Sequence, residues 1–144
     1  MIEIVRMNER HVSAVAGLER LNFSAPWDEA SVRSELTNKL SLWLVALDGG
    51  EVVGYVGSQT VLGEADMMNI AVADSHRRLG IARRLVEELI RQLDAYQLTL
   101  EVRQSNMPAI ALYESMGFQQ VGLRKNYYQK PKENALILRK EWKI

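Results

Sequence analysis

Residues 77–84 read Arg-Arg-Leu-Gly-Ile-Ala-Arg-Arg, four arginines around one glycine. They follow the run Met68-Asn69-Ile70-Ala71-Val72 and the link Ala73-Asp74-Ser75-His76, and they open a long amphipathic segment. A helix starting here presents unpaired N–H groups and a partial positive charge, the arginines add to both, and Gly80 lets an anion approach the backbone. On spacing alone the segment fits two readings, a phosphate cradle or a plain helix start with solvated arginines. A P-loop is excluded, because no Gly-Lys-Ser or Gly-Lys-Thr ending is present, and so is a dinucleotide fingerprint with its three glycines.

Two further residues could move protons. Leu98, Leu100 and Val102 alternate with Thr99, Glu101 and Arg103, so Glu101 emerges on the polar side near the end of a strand. A carboxylate there can act as a base, or it can pair with Arg103. Tyr113 stands three residues from both Ile110 and Met116, a spacing that by itself means core. Asn106 precedes Pro108 and reads as a helix cap. The chain has no cysteine, which removes disulfides, thiolate metal sites and a sulfur nucleophile together. With only His11 and His76 besides, a covalent intermediate on the protein is disfavoured, and no metal is expected.

The elements that must position these groups follow from periodicity. Ile2 to Met7 reads as a short strand. After the Asn8 cap signal, Val12, Val15, Ala16, Leu18 and Leu21 recur at helical spacing to near Phe23. Pro26-Trp27 breaks that helix, and Asp28 caps a second one predicted through Leu36. Leu42 to Leu47 and Glu51 to Thr60 are strands joined by the turn Asp48-Gly49-Gly50, and Ala65 to Val72 is a third. Leu79 to Tyr96 is the strongest helix, with Ile81, Leu85, Leu89 and Leu93 on one face. A strand over Leu98–Val102, a helix over Pro108–Met116, and strands over Phe118–Leu123 and Ala135–Leu138 complete the chain. This order predicts an α+β class, a mixed and mostly antiparallel sheet flanked by helices, with a right-handed parallel crossover through the long helix.

At 144 residues, 47% hydrophobic and 25% charged, the chain suits one domain spanning 1–144 that buries its own core. A formal net charge of zero removes any overall field toward nucleic acid or an anionic membrane. The first ten residues lack the basic flank and apolar run of a signal peptide, and no stretch has the length of a membrane span. A soluble cytoplasmic protein without direct nucleic-acid or membrane partners is therefore expected.

Taken jointly, the motifs resemble the GNAT acetyltransferases, whose acyl-coenzyme A signature has the spacing Arg77-x-x-Gly80-x-Ala82 seen here. The likeness covers essentially the whole chain and is strongest to the ribosomal-protein-alanine N-acetyltransferases. It is carried by Pro26-Trp27, Asn69 to Val72, Leu100 to Arg103, Ser105-Asn106, Ala109 to Phe118 and Arg124 to Tyr128. The resemblance implies the GNAT (acyl-CoA N-acyltransferase) fold and acetyl-CoA as cosubstrate. It places the pantetheine and acetyl region against Ile70, Ala71 and Val72, and the pyrophosphate against Arg77, Arg78, Leu79, Gly80, Ile81 and Ala82. Asn106 would bond the pantetheine arm, Glu101 would accept the amine's proton, and Tyr113 would protonate the departing thiolate. The acceptor it implies is the N-terminal amine of a protein, a ribosomal protein in particular, met by the Phe23–Trp27 loop and Asn126-Tyr127-Tyr128. A small-molecule amine or a lysine side chain is the alternative acceptor. After Tyr128 the pattern departs: Gln129 to Asn134 is basic, and Asn134 stands where an acidic residue is usual.

Overall fold

The structure, a computed structural model, describes residues 1–142. Two compact units divide the chain: residues Met1–Gln59 with Met68–Leu93, and Thr60–Met67 with the residues from Asp94 onward.

The first unit carries β1 (Ile2–Arg6), α1 (Glu9–Asn22), α2 (Glu29–Ser34), β2 (Ser41–Asp48), most of β3 (Glu51–Val61), the second half of β4 (Glu64–Val72), and α3 (Ile81–Gln92). Its strands lie in the order β1-β2-β3-β4. Asn8 starts α1 as predicted, accepting from the Arg10 N–H at 3.1 Å while His11 Nδ1 accepts from the Asn8 N–H at 3.1 Å. Asp28 caps α2 through the Ser31 N–H at 2.7 Å. The helix stops at Ser34, short of the predicted Leu36, as Glu35 turns its carboxylate inward to four donors. Val12, Val15 and Ala16 of α1 pack with Trp43, Val45 and Tyr55 into one core cluster, each fully buried valine side chain stabilising the fold by about 1.5–3 kcal/mol. The helix α3 packs on β1 and β2 and is shorter at both ends than the periodicity suggests. At its start Arg78 and Gly80 both have positive φ, which no helix accommodates.

The second unit carries the first half of β4, then β5 (Gln97–Arg103), α4 (Met107–Ser115), β6 (Gln119–Gln129) and β7 (Lys132–Glu141), with strand order β4-β5-β7-β6. The strands β4 and β5 pair in parallel through Glu64↔Gln97, Ala65↔Leu98 and Asp66↔Thr99, as the crossover prediction requires. The pairs β5–β7 and β6–β7 are antiparallel, so the sheet is mixed. Leu98, Leu100, Val102, Ile110, Tyr113, Phe118, Ala135 and Leu138 are buried. The last hairpin runs well beyond the predicted strands, to Tyr128↔Glu133 and Gln129↔Lys132, past an irregularity between Arg124 and Tyr128 where Asn126 has φ +54. Among the described residues no helix is long and apolar enough to cross a membrane.

Candidate active site

In the first unit, β4 ends at Val72, the Ala73 N–H donates to the Val53 carbonyl at 2.8 Å, and a single 3₁₀ turn over Asp74–His76 leads to the basic loop. Arg78 at φ +65 and Gly80 at φ +78 put two left-handed residues into the loop just before α3. Gly80 caps α3 with no side-chain bond, so no side-chain cap occupies the N–H groups of the helix start. A Cβ on Gly80 would meet no protein atom within 4 Å, so glycine is favoured there by φ rather than by crowding.

The arginines divide by role. Arg77 faces its own scaffold: Nε donates to the Val72 carbonyl at 3.3 Å, Nη2 donates to Asn22 Oδ1 at 2.7 Å, and the guanidinium pairs with Asp74 at 2.9 Å. It braces the loop. Arg84 reaches back to the Ile2 carbonyl at 3.2 Å. Arg78 and Leu79 are exposed on the loop. His76 is also a brace, with Nε2 2.8 Å from Asp48 Oδ2 and Nδ1 2.7 Å from Ser75 Oγ, which fixes the loop to the β2–β3 turn. That contact, above all others, holds the Asp48 carboxyl below its usual range. Ile70 and Val72 are half-buried and Ala71 is buried on β4.

The second unit holds Glu101, Tyr113 and Asn106. Glu101 projects from β5 and pairs with Arg124 of β6, Nε to Oε1 at 3.3 Å. Arg103, the partner that strand proximity suggests, is engaged elsewhere: it donates to the Pro131 and Lys130 carbonyls at 2.9 and 3.1 Å, pairs with Glu133 at 3.6 Å, and lies over the Tyr128 ring at 4.2 Å. Tyr113 of α4 is buried, edge-on to Phe118 with centroids 5.6 Å apart. Burial, with Tyr128 nearby, pushes its hydroxyl up to about 12, so it carries its proton throughout the neutral range. Asn106 caps α4, its Oδ1 accepting from the Ala109 N–H at 3.3 Å.

The two aromatic segments differ. Trp27 is half-buried against Trp43, centroids 5.3 Å apart, and serves as a packing anchor. Tyr127 is 48% exposed with the Arg124 guanidinium 5.9 Å from its ring. Asn134 ties the last hairpin down, accepting from the Asn126 N–H at 2.9 Å and donating to Gln104 Oε1 at 3.2 Å.

Residues 12–118 match the Acetyltransferase (GNAT) family. The chain belongs to that family. Among its GNAT relatives is the ribosomal protein bS18-alanine N-acetyltransferase of Escherichia coli, 35% identical over 143 residues that make up 96% of each chain. Another, the N-alpha-acetyltransferase RimI of Mycobacterium tuberculosis, is 37% identical over 120 residues, 81% of this chain and 76% of its own. The crystal structure of the ribosomal-protein-alanine enzyme of E. coli superposes with a TM-score of 0.91 at 34% identity, over 100% of this chain and 96% of that one. The GNAT fold predicted from the motifs is thus the one observed.

One polar cluster escaped the reading of the sequence. Glu19, fully buried in the first unit, accepts from the Trp27 N–H at 2.8 Å, from Asn69 Nδ2 at 3.0 and 3.1 Å, and from the Tyr55 hydroxyl. A signal was present, because Val12, Val15, Ala16 and Glu19 fall at i, i+3, i+4 and i+7, which puts a carboxylate on the apolar stripe of α1.

Proposed function

We propose that this GNAT enzyme moves the acetyl group of acetyl-CoA onto the α-amino group of a protein N-terminus, the N-terminal alanine of a small-subunit ribosomal protein, in the cytoplasm. The observation that carries the reading is the match along nearly the full length of both chains to the E. coli ribosomal protein bS18-alanine N-acetyltransferase. We read the chain as a single domain, since the family match runs through segments of both units.

In this reading the N–H groups of Arg77 to Ala82 hold the pyrophosphate, the backbone of Ile70 to Val72 lies along the acyl region, and Asn106 bonds the pantetheine arm with the part of its amide that does not cap α4. An α-amino group titrates near pH ~8, so a carboxylate base suffices to remove its proton. Glu101 takes that proton, directly or through water. The amine attacks the thioester carbonyl, backbone N–H donors beside Ile70 to Val72 stabilise the oxyanion, the C–S bond breaks as Tyr113 protonates the leaving sulfur, and the second proton shed by the attacking nitrogen passes to water, from which Tyr113 is reprotonated. Tyr113 holds its proton at neutral pH, as a general acid must, while the rise to about 12 makes it a weaker donor than an ordinary tyrosine. The Phe23–Trp27 loop and Asn126 to Tyr128 select the acceptor.

The test combines acetyl-CoA with a panel of ribosomal N-terminal peptides and reads the mass shift, with E101Q and Y113F alongside. Each variant should lose roughly 10²–10⁴-fold in kcat while binding acetyl-CoA normally by calorimetry. Acetylation of a small amine or a lysine side chain, with every N-terminal peptide refused, would reject the peptide reading.

A further inference from the structure

Glu19 lies in the last turn of α1, where the partial negative charge of the helix end disfavours a carboxylate, and its side chain has no exposure to water. Removing a charge from water costs several kcal/mol unless donors replace the solvent. Here three elements supply them: the Trp27 N–H from the loop after α1, the Tyr55 hydroxyl from β3, and the Asn69 amide from β4. The donors of Trp27 and Asn69 meet on the same oxygen, Oε1. Trp43 packs between Trp27, at 5.3 Å, and Tyr55, which it stacks against at 7° from parallel. A buried carboxylate of this kind adds little net stability compared with an apolar side chain of equal volume, but it dictates geometry, because each donor must come to it.

The two ends of this cluster are the segments to which the proposed function gives work. Asn69 immediately precedes Ile70 on the strand assigned to the acyl region, and Trp27 closes the loop assigned to the acceptor. We infer that Glu19 is a positioning residue that locks the acceptor loop to the cofactor strand, so that the Phe23–Trp27 backbone is held in its peptide-receiving form before the acceptor arrives. The inference rests on the peptide-acetyltransferase reading. It assigns to the buried carboxylate neither proton transfer nor contact with the reacting atoms.

Three variants test it. E19Q keeps the volume but replaces one acceptor oxygen with a donor. N69A removes only the tie to β4. E19Q/N69D reverses donor and acceptor across the same contact. The readouts are kcat and KM for an alanine-first peptide, KM for a small amine too short to reach the loop, the calorimetric Kd of acetyl-CoA, and the melting temperature. E19Q and N69A should lower kcat/KM for the peptide by about ten- to a hundredfold, mainly through KM. The small-amine KM and the acetyl-CoA Kd should stay within about twofold, and E19Q/N69D should recover part of the peptide loss. Unchanged peptide KM in folded E19Q and N69A would overturn the inference. So would peptide, small-amine and cofactor parameters all worsening in step with melting temperature, which marks a merely structural carboxylate. A wild-type protein that acetylates no N-terminal peptide would instead sink the proposed function, and the inference with it.

Discussion

At the scale of single residues, the basic loop depends on two backbone conformations and on braces more than on exposed charge. Gly80 was readable as special from its type and place. The left-handed φ of Arg78 was not, because arginine carries no turn signal. Replacing Gly80 with alanine forces a Cβ into the left-handed region at about 1–2 kcal/mol. G80A should therefore lower the melting temperature by several degrees although no atom crowds the new methyl, and, as the loop relaxes out of the left-handed form, weaken acetyl-CoA binding by up to roughly five- to thirtyfold in calorimetry. Glu101 and Tyr113 were readable from strand alternation and motif context. That Arg124 rather than Arg103 pairs with Glu101 was not, because the choice depends on how β6 lies against β7.

At the scale of elements, the meeting of β3, β4 and α3 is set by an absent side chain. A Cβ on Gly54 would stand 3.2 Å from the Ala71 carbonyl oxygen and 3.4 Å from Ile81 Cγ2 and Leu85 Cδ1. G54A should push α3 and Ala71 away from β3 and lower stability by about 1–3 kcal/mol in denaturant titration. Because Ala71 and Ile81 flank the basic loop, acetyl-CoA affinity should fall in the same variant. Strands whose burial alternates or runs apolar, such as β2 and β5, were found within a residue of their ends. The strand β6 was predicted only to Leu123, because nearly all of it is exposed and no period of two marks its continuation.

For the molecule as a whole, the acid and alkaline limits of folding come from different groups. Four donors, from Gln59, Asn38, Ser41 and Trp43, outweigh the burial of Glu35 and hold its carboxyl below the usual 4.5. A depressed carboxyl adds stability above its unfolded value and loses it as pH falls through the folded one. Tyr113 and Tyr128, raised from 10 to about 12 chiefly by burial, work in the opposite direction: their contribution is complete below 10 and is lost as pH rises toward 12. The melting temperature should accordingly fall once pH drops below about 4.5 and again above about 10, with a plateau between. E35Q should lower the plateau and flatten the acid slope, and Y113F should flatten the alkaline one.

By itself the sequence determined the α+β class, the order of elements, the basic loop before the longest helix, and the acid and base candidates. The class, the order and the loop follow from local periodicity, caps and spacing, which neighbouring residues enforce on one another, whereas the acid and base candidates rest on the likeness of their motifs to the family. Tertiary structure alone decided that Arg77 and His76 brace the loop, that Glu101 faces Arg124, that the last hairpin extends to Gln129, and that Glu19 joins three elements. Apart from the hairpin end, where Gln129 pairs with Lys132, each of these joins residues distant in the chain. Which donor reaches which acceptor is then set by packing, which no local pattern encodes.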